Sequence, residues 1–193
     1  MIELVGTVVQ IFDSEKCKSG YFRELLLEVP RLSNTVDTLI IRYKEKYKFH
    51  VGDHLALVGS IRSYRGSGEY KTRIKVYSDK FTLLTPEEYK ESLSSTNKAT
   101  YTVVVQRASR CRQTPNGYKI VDLELAYQDK SGKYYGFPAI AWGSNAVLLD
   151  EAPRGLELSV EGRLQSRSYN KEVSGVKKSR VVYELSISQC RVL

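Results

Sequence analysis

The sequence predicts an all-β protein of two small tandem barrels, and three observations support this fold class. The chain of 193 residues is long enough for two domains of about 90–100 residues each. Short runs of alternating apolar and polar residues recur along it, as expected for strands with one buried and one exposed face. The two halves also repeat the same order of strands, glycines and loops, which indicates a duplicated unit.

A polar stretch divides the chain near its middle. Residues 85–98 are rich in Ser and Thr and lack strand periodicity. We therefore predict a first barrel over residues 1–84, a linker over 85–98 and a second barrel over 99–193. Thr85 and Pro86 predict a helical turn at the start of the linker, because threonine caps helices and proline favours their first turn.

Each half is predicted to form five strands in the same order. The corresponding pairs are Leu4–Ile11 and Tyr101–Gln106, Leu25–Val29 and Val121–Leu125, Thr38–Tyr43 and Tyr134–Trp142, strands beginning at Leu55 and Leu156, and Tyr70–Leu84 and Arg180–Leu193. Charged loops are predicted at residues 65–69 and 170–178. In the second half, residues 143–152 predict a short helix between the third and fourth strands, with Ser144 as its cap.

The fourth strands of the two halves agree best. Gly59 and Gly162 each follow an earlier glycine, Gly52 or Gly155, at a spacing of seven residues. A glycine inside a strand marks a bulge or a sharp bend, such as a barrel needs in order to close. Three strands, a short helical connection and two further strands is the order of a five-stranded OB barrel. Two unrelated small barrels, or a β-sandwich, are the alternatives.

The charge of the chain indicates a polyanionic partner. The net charge is +8 and the pI is near 9.3. Residues 1–84 carry 14 Lys and Arg against 10 Asp and Glu, and residues 99–193 carry 14 against 9, so both halves are basic. Nucleic acid is favoured over a membrane surface because no basic amphipathic helix is visible.

Several other classes of protein lack support in the sequence. There is no run of 18 apolar residues and no signal peptide, so we expect a cytoplasmic protein. The three cysteines form no CxxC pair, and Gly52 separates His50 from His54, so we expect neither a metal site nor a disulfide framework. Without a phosphate-binding loop or a catalytic motif, we predict a non-enzymatic protein without cofactors.

The second half resembles bacterial single-stranded-DNA-binding proteins. The similarity extends from about Thr100 to Leu193, and the strings FPAIAWG at residues 137–143 and VEGRLQSRSY at 160–169 carry it. The first half is similar only in its layout and in the segment from Val51 to Tyr64. The resemblance implies that aromatic side chains stack on bases, a contact of about 1–3 kcal/mol per base that tolerates any sequence.

By position, the resemblance also implies particular DNA contacts. Stacking residues would be Trp142, Tyr169, Tyr135, Phe137 and Tyr127 in the second half, with Tyr43, matched to Trp142, and Tyr64 in the first. Phosphate contacts would be Arg163, Arg167, Lys171, Lys177 and Lys178 in the second half, with Arg42, Arg62, Arg65, Lys71 and Arg73 in the first.

These residues predict sequence-tolerant binding of single-stranded DNA in replication, recombination or repair. Typical family members carry one OB-fold per chain and form tetramers, so we expect a homodimer that holds four OB-folds. The chain ends at Leu193 without the acidic tail of typical members, and we therefore expect no partner recruitment through such a tail. The alternatives are a protein-interaction or assembly module, similar to primosomal replication protein N, and a binder of single-stranded RNA.

Overall fold

Strands dominate the described part of the chain. The structure, a computed structural model, describes residues 1–17, 20–65, 72–173 and 176–193, with side chains described in these ranges except at 16, 65, 72, 73, 169–173 and 176–180. The first half forms β1 (Ile2–Ile11), β2 (Glu15–Cys17), β3 (Gly20–Pro30), β4 (Val36–Lys44), β5 (His54–Arg65) and β6 (Thr72–Leu84). The second half forms β7 (Asn97–Ala108), β8 (Arg112–Gln113), β9 (Lys119–Gln128), β10 (Tyr134–Trp142), β11 (Glu157–Val173) and β12 (Val176–Val192).

The strands close into two barrels of the same topology. In the first, β1 pairs with both β3 and β5, and β4 pairs in parallel with β6. In the second, β7 pairs with both β9 and β11, and β10 pairs in parallel with β12. The prediction of an all-β fold with two tandem OB barrels is confirmed. The domain limits stay a prediction, since β7 begins at Asn97, two residues ahead of the expected boundary.

The barrels are joined edge to edge through their first strands. β1 pairs antiparallel with β7, with Ile2 opposite Ala99 and Leu4 opposite Asn97, so the described strands form one continuous sheet. Inward-facing apolar residues such as Leu27 and Leu125 are fully buried. Because successive side chains of a strand point to opposite faces, the remaining residues form an outer face on each barrel.

The glycines predicted to sit at bends do so. The register of β5 against β6 shifts between Val58 and Gly59, and that of β11 against β12 shifts between Glu161 and Gly162. A Cβ at Gly59 would lie 2.5 Å from the carbonyl oxygen of Tyr77, and one at Gly162 would overlap a backbone carbonyl of β12. Only glycine allows the strands to approach so closely at these bulges.

Two short helices complete the described fold. Helix α1 (Pro86–Ser92) begins as predicted: Thr85 Oγ1 accepts a hydrogen bond from the Glu88 N–H, and the Glu88 carboxylate accepts one from the Thr85 N–H. Helix α2 (Gly143–Leu148) is also present, but Ser144 is not its cap, because the helix already begins at Gly143 and Trp142 takes the cap position, two residues earlier than predicted. No helix of the described ranges is long and apolar enough to cross a membrane.

The predicted loop at residues 170–178 is largely strand instead. β11 and β12 stay paired up to Val173 opposite Val176 and form a hairpin arm beyond the barrel. Glu172 lies opposite Lys177 in this register. Because β11 and β12 are already paired in the barrel, continuing the ladder satisfies the backbone groups of these residues, which a loop assignment based on composition overlooks. Of the other predicted loop, residues 66–69 lie outside the described residues.

The barrels also contact each other through side chains, at what we call the seam. The Tyr127 hydroxyl donates to the carbonyl of Ile61 at 2.8 Å, and the Ile61 N–H donates to the Tyr101 hydroxyl at 2.8 Å. At a second point of the seam, the buried Asp37 carboxylate accepts a hydrogen bond from the Ser166 N–H at 2.7 Å. These bonds fix the orientation of one barrel against the other.

Candidate nucleic-acid interface

Strand register corrects the position assigned to Tyr43. Ile41 of β4 lies opposite Val76, and Ala139 of β10 lies opposite Leu185. Val76 and Leu185 are equivalent, because each lies two residues before the residue that pairs with the bulge glycine. Lys44, and not Tyr43, therefore corresponds to Trp142. A slip of one residue moves a side chain to the other face of a strand.

Tyr43 accordingly lies in the core of the first barrel. Its ring is 0% exposed and packs against the rings of Phe49 and Phe81 at centroid distances of 5.1 and 6.0 Å. Burial raises the pKa of its hydroxyl. The prediction that Tyr43 stacks on a base is wrong, because a ring inside the barrel presents no face to DNA.

Three predicted stacking residues of the second barrel are also buried. Along β10, Tyr135 and Phe137 point inward, while Tyr134, Gly136 and Pro138 point outward. With Tyr127 of β9, the two inward rings form a cluster whose centroids lie 5.8–6.2 Å from the Tyr127 ring. Burial raises the pKa of Tyr127 to about 12, so its hydroxyl keeps its proton and its bond at the seam. The structure thus corrects the assignment of Tyr127, Tyr135 and Phe137 to base stacking.

Trp142, in contrast, lies at the outer face of the second barrel. Its indole is 38% exposed, at the end of β10. Ile120 lies directly opposite it on β9, and Arg112 of β8 lies opposite Ile120, so the three residues form a row across one face. With strands about 4.8 Å apart, the backbone of Arg112 is about 10 Å from that of Trp142.

Arg112 is a candidate that sequence reasoning missed. Its guanidinium is well exposed and donates two hydrogen bonds to Asp122 Oδ2, at 3.2 and 2.7 Å. The available signal was a cluster of three arginines, at 107, 110 and 112, between the end of β7 and β8, since OB-folds bind oligonucleotides near the connection from β7 to β9.

Two predicted cations lie on the other side of Trp142. Arg163 of β11 is in a row with Ser186 and Ile140 on the outer face, and it makes no ion pair with any described residue. Burial and the nearby charge of Arg31 lower the pKa of Arg163. Arg167 is mostly exposed, and its Nε lies 3.6 Å from the Glu184 carboxylate. The outer face therefore combines an exposed indole with cations on both sides.

Other predicted residues of the interface cannot be placed by their side chains. Tyr169, Lys171, Lys177 and Lys178 lie on the hairpin arm, and their side chains are outside the described part, as are those of Arg65 and Arg73. Lys71 lies outside the described residues altogether. Their assignment to DNA contacts stays a prediction.

The outer face of the first barrel alternates cations with aromatic rings. The Arg42 guanidinium lies 5.0 Å from the ring centroid of Phe22 and 5.5 Å from that of Tyr64. Arg62 lies 3.9 Å from the centroid of Tyr77 and approaches the second barrel at the seam. Phe22 and Tyr77 were not predicted, because the positional match to the second half, from which Tyr64 was assigned, did not single them out. We call this surface the first-barrel face.

Carboxylates neutralise part of the first-barrel face. Glu24, directly opposite on β3, accepts a hydrogen bond from Arg42 at 2.6 Å and pairs with Lys75, and Glu15 of β2 accepts one from Arg42 at 2.8 Å. Burial alone would lower the pKa of Arg42, but the two carboxylates outweigh it and raise the pKa. Arg42 is buried and occupied, so its predicted phosphate contact requires one of these partners to leave.

A cavity of about 700 Å³ lies between the barrels. Ile40 and Ser63 line it from the first barrel, and Phe137, Pro138 and Tyr183 line it from the second. Its walls are mainly apolar. Among the described residues, no group of three or more His, Cys, Asp or Glu is placed to hold a metal ion.

Comparisons with known proteins support the fold and identify the family. The chain is similar to the wild-type single-stranded DNA binding protein from Thermus aquaticus, with a TM-score of 0.73, 18% identity, and coverage of 100% of this chain and 91% of that one. A deletion mutant of the same protein gives 0.71 and 18%, with 100% and 93% covered. At this identity the likeness shows the fold, two OB barrels in one chain.

A shorter similarity involves the N-terminal domain of PriB from Thermoanaerobacter tencongensis, with a TM-score of 0.37, 30% identity, and coverage of 43% of this chain and 93% of that one. No curated protein sequence matches the chain. The model of the single-strand binding protein family matches residues 96–193, just over half of the chain and all of the second barrel. The chain therefore belongs to the single-strand binding protein family, whose members are non-enzymatic proteins that bind single-stranded DNA.

Proposed function

We propose that this chain binds single-stranded DNA of any sequence, by stacking bases on exposed rings and contacting phosphates with arginines. The observation that carries the proposal is the exposed indole of Trp142, on the outer face of the barrel that the family model matches. Arg112 and Arg163, on either side of it, supply cations for the backbone. Every base has a π-face, so this arrangement favours no sequence.

The cellular role follows from this chemistry. Replication, recombination and repair all expose single strands that must be held whatever their sequence, and we propose that the chain acts in one of them. Three free cysteines support a reducing, cytoplasmic location. The family resemblance supports a homodimer of four OB-folds, which light scattering of the free protein would test by its mass.

Titration with oligo-dT at low salt tests the binding. Trp142 is the sole tryptophan, so its fluorescence reports directly on the proposed interface. We expect quenching that weakens as salt is added, because phosphate contacts release counterions, with a slope of about −0.7 in log K against log salt per phosphate. If neither quenching nor a gel shift appears at low salt, the proposal is refuted.

A Trp142→Phe variant separates the signal from the binding. It removes the fluorescence but keeps a stacking ring, so labelled oligo-dT should still bind it, as measured by anisotropy. Competition with oligo-rU distinguishes DNA from RNA, since stacking alone does not recognise a 2′-hydroxyl. Stronger competition by oligo-rU than by oligo-dT would favour the RNA alternative.

A further inference from the structure

The first-barrel face contains a preformed anion position at Arg42. The guanidinium is held between the rings of Phe22 and Tyr64, at 5.0 and 5.5 Å from their centroids. Its Nη1 atom points to two carboxylates, Glu24 at 2.6 Å and Glu15 at 2.8 Å. Arg42 lies on β4, which with β3 forms the surface that OB-folds use to bind oligonucleotides.

The two carboxylates differ in their position in the barrel and in their exposure to solvent. Glu24 lies opposite Arg42 within the barrel wall, is mostly buried, and also pairs with Lys75. Glu15 comes from β2, and its side chain is 66% exposed. The hydrogen bond and the charge of Arg42 lower the pKa of Glu15, which keeps it ionised. With Glu24 in place, Arg42 and Lys75 leave one positive charge, which Glu15 neutralises among the described side chains.

Strand β2 is suited to leave this position. It has three residues, lies at the end of the sheet formed by the described strands, and pairs with β3 there. A short edge strand is held by few backbone hydrogen bonds, and an ion pair with an exposed carboxylate adds little stability. Detaching Glu15 therefore costs less than displacing Glu24, which lies within the barrel wall.

A phosphodiester group can take the place of the Glu15 carboxylate as the anionic partner of Arg42. Arginine binds phosphate and carboxylate with the same planar fork of donors. The half-buried ring of Tyr64 offers a π-face to the adjoining base, whereas the ring of Phe22 is buried and supports the guanidinium. We propose that Arg42 and Tyr64 form a second site for the strand held by the other barrel, binding a backbone phosphate and a base, and that Glu15 occupies the phosphate position until DNA displaces it. This inference rests on the proposed function.

Replacing the displaced carboxylate tests the inference in the full chain. Glu15→Gln should bind oligo-dT of about 30 nucleotides, long enough for two OB-folds, about two- to fivefold more tightly than the parent does. Its affinity for oligo-dT of about 8 nucleotides, which one OB-fold accommodates, should match that of the control. The control is Glu45→Gln, which removes the same charge from a half-exposed carboxylate of the same barrel, 3.8 Å from Arg23.

The outcomes separate the two proposals. If the parent chain binds neither oligonucleotide, the proposed function fails, and the inference fails with it. If the parent binds but Glu15→Gln equals Glu45→Gln at both lengths, or gains equally at both lengths, only the inference is overturned. Adding Tyr64→Ala to Glu15→Gln should abolish the gain for the long oligonucleotide, and persistence of the gain would also overturn the site.

Discussion

Asp37 offers the sharpest test of how the two barrels are held together. Its carboxylate is fully buried at the seam, where it accepts hydrogen bonds from the Arg31 guanidinium and, at 2.7 Å, from the Ser166 N–H of the other barrel. The Arg31 side chain is only 19% exposed. Replacing Asp37 with Ala leaves a cation and an N–H group without their acceptor.

The expected loss follows from these contacts. Removing one partner of a buried ion pair costs about 3–5 kcal/mol of unfolding free energy. Because part of the Arg31 guanidinium reaches water, we expect the low end, about 3 kcal/mol, for Asp37→Ala. Asp37→Asn keeps an oxygen that accepts from the Ser166 N–H, so it should lose less. Asp13→Ala, at an exposed position, should change stability by less than about 0.5 kcal/mol.

Urea unfolding measures these differences with two signals. Far-UV circular dichroism reports on both barrels, whereas Trp142 fluorescence reports on the second alone. For Asp37→Ala we expect both unfolding transitions at a lower urea concentration than in the parent chain. In an Arg31→Ala and Asp37→Ala double variant, the loss should be smaller than the sum of the single losses, because no unpaired charge remains. A loss below about 1 kcal/mol for Asp37→Ala, or strictly additive losses, would refute this account of the seam.

Three further predictions concern the aromatic residues. Trp142→Ala should weaken oligo-dT binding about 5- to 150-fold, equivalent to about 1–3 kcal/mol, by anisotropy, while Trp142→Phe, which keeps a stacking ring at the same position, should lose much less. Tyr127→Phe loses its hydrogen bond across the seam and should cost about 1 kcal/mol in urea unfolding; an unchanged midpoint would contradict that bond. Burial raises the pKa of Tyr127 to about 12 and that of Tyr101 as well. The folded state therefore resists ionisation that the unfolded chain undergoes near pH 10, and stability should fall as the pH rises above about 10. Tyrosinate absorbance and urea midpoints between pH 9 and 12 check this prediction, and a smaller fall in Tyr127→Phe identifies the residue.

Local sequence pattern was sufficient for the barrels themselves. The spacing of Gly59 and Gly162 predicted both bulges, because only a residue without a Cβ fits where the strands bend together. Thr85 and Pro86 predicted the start of α1 for the same kind of local reason. Trp142 was expected at the end of a strand, and it lies there, partly exposed. Each of these features leaves its signal in a short stretch of the sequence.

Only the tertiary structure shows which face of each strand is available to DNA. Alternation along a strand defines two faces but not which of them meets another barrel, so Tyr127, Tyr135 and Phe137 were expected at the DNA and lie in buried positions instead. Tyr43 moved to the core because the match to Trp142 was shifted by one residue, which exchanges the faces.

The sequence by itself thus determined two basic OB barrels and the region that resembles a DNA-binding protein. The structure alone decided which rings and cations are available. The Asp37–Ser166 bond joins residues 129 positions apart, and the Arg42–Glu15 bond joins residues on strands that are not neighbours. Contacts of this kind arise from chain closure over long separations, which leaves no periodic signal in the residues between.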